Sequence, residues 1–76
     1  MKKKINWGII GLGKIAHKFA SDLGLSNSGK LQAVASRSLA TAQNFASEYP
    51  AETVYGSYEE LLQDPTVDIV YIALPH

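Results

Sequence analysis

The chain has 76 residues, seven basic (Lys or Arg) against seven acidic, and no cysteine. That length holds one small domain with a modest core. Zero net charge without a broad basic patch excludes a nucleic-acid surface. Without cysteine, neither a disulfide nor a zinc–thiolate site can brace the fold.

Lys2-Lys3-Lys4 precede an apolar run, Ile5 to Leu12, that is short and broken by Asn6 and glycines. The run fits neither a signal peptide nor a membrane span, so the lysines read as a solvated tail before a strand. The expected location is the cytoplasm, with no membrane partner. The first strand is Ile5–Ile10. A helix follows from about Gly13, with Ile15, Ala16, Phe19, Ala20 and Leu23 on one face and Gly24 as its stop. Ser26-Asn27-Ser28-Gly29 has loop composition. The second strand is Leu31–Ser36. The second helix runs from Leu39 to about Tyr49, with Leu39, Ala42, Phe45, Ala46 and Tyr49 as its buried stripe, and Pro50 ends it. Thr53-Val54-Tyr55 forms a short third strand. Ser57 and Glu60 have capping-box spacing at the head of a third helix that turns Leu61 and Leu62 inward, and Asp64-Pro65 closes it. Ile69–Leu74 is an unbroken apolar strand, the pattern of a strand covered on both faces.

This alternation predicts an α/β fold: a doubly wound parallel sheet of the Rossmann type, with four strands in the order 3-2-1-4 and three helices. Its last strand would be an apolar, uncharged edge. Proteins cover such edges, so further chain or a second copy is expected there, and a homo-oligomer is the predicted state.

Where the first strand meets the first helix, the chain reads Gly11-Leu12-Gly13-Lys14-Ile15-Ala16. In a dinucleotide-binding turn the first glycine lets the chain leave the strand sharply. The second lets a pyrophosphate approach the backbone. The small third residue lets the helix pack close to the strand. The helix then offers free N–H groups and its positive dipole end to the phosphates. The bland alternative is a tight turn that binds nothing. The site would lie where the strand order reverses, with Leu74-Pro75-His76 opposite the glycines. At the end of the second strand, where a carboxylate would select NAD, stands Ser36-Arg37-Ser38. A guanidinium between two hydroxyls suits a 2′-phosphate, so NADP is expected over NAD. The alternative for Arg37 is an ion pair with a helix carboxylate. His17 falls one residue past the packing face and reads as a solvated or rim histidine rather than a catalytic one. Glu59 and Glu60 complement a helix dipole, and Asp68 opens the last strand. No nucleophile–base pair and no metal-ligand cluster is visible, so no catalytic residue and no metal ligand is assigned.

Taken together, Trp7–Ala16, Val34–Ser38, Phe45-Ala46, Tyr55–Leu61 and Asp68–His76 resemble the start of the glucose–fructose oxidoreductase, inositol dehydrogenase and MocA family. Gly13–His17 and Tyr55–Leu61 look closest to its dihydrodiol dehydrogenase and NADP-dependent xylose dehydrogenase branch. The resemblance covers the whole chain. It implies an oxidoreductase that moves hydride between a nicotinamide cofactor and a small sugar or cyclic diol. It further implies that Gly11, Leu12, Gly13, Lys14 and Ile15 line the pyrophosphate, that Ser36, Arg37 and Ser38 hold the adenosine ribose or its phosphate, and that Ala73, Leu74, Pro75 and His76 flank the nicotinamide side. Family members continue into a Glu-Lys-Pro motif with a catalytic lysine and then a substrate domain, and the 76 residues contain neither. The expectation is therefore that residues 1–76 are the N-terminal part of a dinucleotide-binding domain, inactive alone. Two other readings stay open: a stand-alone nucleotide-binding module without chemistry, and a half unit that self-associates through its last strand.

Overall fold

A computed structural model describes residues 4–74. Apolar and β-branched runs form four strands: β1 (Ile5–Ile10), β2 (Gly29–Ala35), β3 (Thr53–Tyr55) and β4 (Ile69–Ile72). Between them lie α1 (Lys14–Gly24), α2 (Leu39–Glu48) and α3 (Tyr58–Leu62). The strands make one parallel sheet in the order β3-β2-β1-β4, as the alternation predicts.

Successive side chains of a strand face opposite ways, so the central strand β1 feeds two cores. Ile9 meets Ala16 and Ala20 of α1, Val34 of β2, and Ala42 and Phe45 of α2. Ile10 meets Ala33, Ala35 and Leu61 on the face that carries α3. The run of alanines lets α1 and α2 lie close to the sheet. Gly8 does the same for α3: a Cβ there would stand 2.9 Å from a Leu61 methyl and 3.1 Å from one of Val67. The fully buried Leu61 side chain contributes about 1.5–3 kcal/mol.

The link from α3 to β4 is tied down by polar groups. Asp64 accepts from the Thr66 amide at 2.8 Å and from the Tyr55 hydroxyl at 2.7 Å. Hydrogen bonds from Thr66 and then Tyr55 hold the Asp64 carboxyl below its usual range. The same bond, with burial, pushes the Tyr55 phenol up. Gln32 donates to the Thr66 hydroxyl at 3.1 Å, Asn6 donates to the Thr66 carbonyl at 3.0 Å, and Asp68 accepts from the Asn6 amide at 2.8 Å. The base of β4 is thereby fastened to β1 and β2.

Some expectations need correction. β4 ends at Ile72, two residues early, although the Ala73 amide still donates to the Ile10 carbonyl of β1. β2 begins at Gly29 and not at Leu31. α1 runs through Gly24 to a cap at Leu25. Ile15, Leu39 and Leu62, expected on packing faces, are 61%, 49% and 60% exposed. Each stands in a terminal turn, where the helix has run past the sheet surface. β4 is not covered on both faces: Ile69 and Ile72 are exposed, and β1 is its only strand partner among the described residues.

Candidate functional site

The fingerprint turn stands at the carboxyl end of β1. Gly11 has φ +83°, a conformation that L side chains rarely adopt. A Cβ there would also lie 2.7 Å from a Leu74 methyl and 3.1 Å from the Ala73 carbonyl oxygen. Its own amide donates to the Ala35 carbonyl at 3.2 Å. Gly11 is therefore required by the fold itself. Gly13 is different. Its backbone is extended, at φ −87° and ψ −161°, and a Cβ there would meet nothing within 4 Å. No packing demand accounts for its missing side chain.

Gly13 is also the N-cap of α1 and makes no side-chain cap. The first backbone bond of the helix is from the His17 amide to the Gly13 carbonyl, at 3.2 Å. The amides of Lys14, Ile15 and Ala16 precede it and have no protein side chain to receive them. They stand beside a glycine with free space, at the helix end whose dipole favours an anion. Leu12 is half-buried in the turn, and Lys14 and Ile15 are exposed beside it.

Across the crevice, the Ala73 amide donates to the Ile10 carbonyl at 2.8 Å and carries Leu74 against Gly11. Leu74 is 41% exposed, so the crevice wall is apolar and open. Pro75 and His76, expected on this wall, lie outside the described residues.

At the end of β2, the Ser36 amide donates to the Tyr55 carbonyl, and the Ser36 hydroxyl accepts from the Ser38 amide at 3.3 Å. The Ser38 hydroxyl accepts from the Thr41 amide at 3.4 Å and caps α2. Both hydroxyls act as acceptors inward, which leaves their own hydrogens to donate outward. Arg37 is exposed between them and joins no ion pair among the described residues. The carboxylate partner considered for it is absent from that set.

The structure thus brings Gly11–Ile15, Ser36–Ser38 and Ala73-Leu74 to one end of the sheet. A cavity of about 480 Å³ lies at the other end, between the end of α1, the start of β2 and Pro50. It is remote from the point where the strand order reverses, and doubly wound sheets bind ligands at that reversal. Among the described residues no group of His, Cys, Asp and Glu is placed to hold a metal ion, and no helix is long and apolar enough to cross a membrane.

A profile of the GFO_IDH_MocA oxidoreductase family, NAD-binding Rossmann fold, matches residues 5–76. The trans-1,2-dihydrobenzene-1,2-diol dehydrogenase of Danio rerio is 43% identical over 74 residues, covering 95% of this chain and 22% of that protein. A 3-ketoreductase from Actinomadura kijaniata, solved with NADP, superposes with a TM-score of 0.88 at 34% identity, over 96% of this chain and 23% of that one. The scyllo-inositol dehydrogenase of Lactobacillus casei, solved with NAD(H) and scyllo-inositol, superposes with a TM-score of 0.83 at 30% identity, over 96% and 22%. The chain spans about a fifth of the length of these relatives.

Proposed function

The chain belongs to the GFO_IDH_MocA oxidoreductase family, as a match to its NAD-binding Rossmann domain, and from that premise we propose that residues 1–76 are the N-terminal, cofactor-binding part of an oxidoreductase that exchanges hydride between NADP(H) and a sugar or cyclic diol. The observation that carries the cofactor site is Gly13: an N-cap without a cap, beside free amides and open space. The residues fit the group. The amides of Lys14 and Ile15, with the backbone of Gly11 to Gly13 and the edge of Leu12, would receive the pyrophosphate, and the α1 dipole favours its charge. Ala73 and Leu74 would shape the ribose and nicotinamide side, together with Pro75 and His76. When bound, the nicotinamide supplies or accepts the hydride. This chain's own residues bind and orient it, and no described residue is assigned to proton transfer.

Arg37 supports NADP over NAD. It is exposed, free of ion pairs among the described residues, and flanked by two hydroxyls with hydrogens to donate. The relatives include one solved with NADP and one with NAD(H), so the choice rests on these residues. The sugar or diol substrate follows from the names of the relatives, a dihydrodiol dehydrogenase and an inositol dehydrogenase among them. A cytoplasmic location and a homo-oligomer belong to the same reading. The exposed edge of β4 supports association, either with further chain or with a second copy.

Gly13→Val tests the site. The extended backbone accepts valine and the space is open, so the fold should persist by circular dichroism. Measurable NADP(H) and NAD(H) binding by the full-length protein should disappear. Parental affinity in this variant would remove the pyrophosphate from α1.

A further inference from the structure

His17 was expected to be a rim histidine, and the structure gives it more to do. Its amide closes the first turn of α1. Its imidazole leaves α1 and meets α2: Nδ1 lies 3.3 Å from the Tyr49 hydroxyl and 3.7 Å from Glu48 Oε1. The ring packs on Phe45, with centroids 4.8 Å apart, and edge-on to Tyr49 at 5.3 Å. Burial and the adjacent Glu48 raise the Tyr49 phenol above its ordinary value. His17 and Glu48 also line a cavity of about 180 Å³ with Leu12, Thr41 and Asn44. Leu12 belongs to the fingerprint turn. Thr41 lies in the first turn of α2 and donates its amide to Ser38. One small cavity, with His17 in its wall, thus runs from Leu12 of the fingerprint turn along one face of α2, from Thr41 to Glu48.

We propose that His17 is a positioning residue for cofactor choice: its bond to Tyr49 locks α1 against α2 and sets the spacing between the pyrophosphate amides of α1 and the Ser36-Arg37-Ser38 turn. The proposal rests on the cofactor assignment above. A dinucleotide that carries a 2′-phosphate must satisfy both subsites at once. One without it depends mainly on the first. Loosening the α1–α2 seam therefore weakens NADP more than NAD, whereas an ordinary loss of packing weakens both alike.

The test is titration of NADPH and NADH against the full-length protein. Tyr49→Phe deletes the hydroxyl and keeps the ring. His17→Leu deletes the bond from the other side. His17→Asn restores a nitrogen at the δ position. Tyr49→Phe and His17→Leu should each lower the NADPH:NADH affinity ratio at least threefold and up to about tenfold, the ceiling set by one hydrogen bond. The double variant should fall little further than His17→Leu, because the His17–Tyr49 bond is already gone, and His17→Asn should keep most of the parental ratio. Variants that retain the parental ratio, or that weaken both cofactors equally, overturn the proposal. A parent that prefers NADH refutes the Arg37 assignment before any His17 variant is read, and takes this proposal with it.

Discussion

The three helices of this chain treat the same electrostatic problem in two ways. α2 and α3 begin with a serine whose hydroxyl accepts a backbone amide of the first turn, Thr41 for Ser38 and Glu60 for Ser57. α3 adds Glu59 and Glu60 against its positive end. α1 begins with Gly13, has no cap, and carries no acidic residue in its first turn. A glycine N-cap is less stable than a serine one by about 0.3 kcal/mol, so nothing in folding favours the arrangement at α1. The difference shows where the chain has kept its polar groups unsatisfied, and that end faces the reversal of strand order. The same contrast separates the two glycines of the fingerprint. Gly11 answers to φ and to Leu74, while Gly13 answers to nothing inside the protein.

The contrast also says how each phosphate can be held. α1 offers its first-turn amides uncapped, whereas the Ser38 hydroxyl takes the Thr41 amide of α2, so a phosphate beside α2 depends more on side chains. Arg37→Ala should therefore weaken NADP(H) binding by about 1.5–3 kcal/mol and leave NAD(H) nearly unchanged, by calorimetric titration of the full-length protein. Equal losses for both cofactors would break the division of labour. Ser57→Ala should lower stability by about 1 kcal/mol in urea unfolding, with cofactor affinity unaltered, because the α3 cap serves the fold alone. The smallest effect is the sharpest. Gly13→Ser gives α1 the cap its neighbours have. It should raise stability by about 0.3 kcal/mol while it weakens cofactor binding, since the new side chain enters the space the phosphate would use. A serine that improves both would end the argument that the open terminus serves a ligand.

Much of this was legible in the residues. β1 and β3 have the predicted bounds, and the strand order follows from the alternation and the handedness of crossovers. Helical periodicity placed Ala16, Ala20, Ala42, Phe45 and Leu61 in the core. It failed at Ile15, Leu39 and Leu62, because periodicity gives an angle around the axis and not the length over which the sheet lies beneath it. Leu62 is the last residue of a five-residue helix, too short for the pattern to reveal that. Gly8 and Gly29 were passed over. Their signal is a glycine within or opening an apolar strand, which marks a close approach: Leu61 and Val67 over Gly8, Leu23 and Trp7 over Gly29. At the site, the motif separates a turn glycine, Gly11, from an open one, Gly13, and the positive φ of the first and the free space around the second agree with that division. His17 was judged by its helical angle alone. Its partners Glu48 and Tyr49 lie 31 and 32 positions away in sequence, and no local pattern could supply them.

The chain contains a single tryptophan, and its placement makes the molecule self-reporting. Trp7 stands edge-on to Phe19 with centroids 5.0 Å apart, and Phe19 stacks on Tyr71 at 4.2 Å and 12°. Three rings from β1, α1 and β4 form one line across the sheet, with Gly29 leaving room for the indole. Its emission spectrum is thus a gauge of whether β1, α1 and the outer strand remain assembled. Displacement of the phosphate helix, or fraying of the exposed edge, would register as a change of colour and intensity without any attached dye.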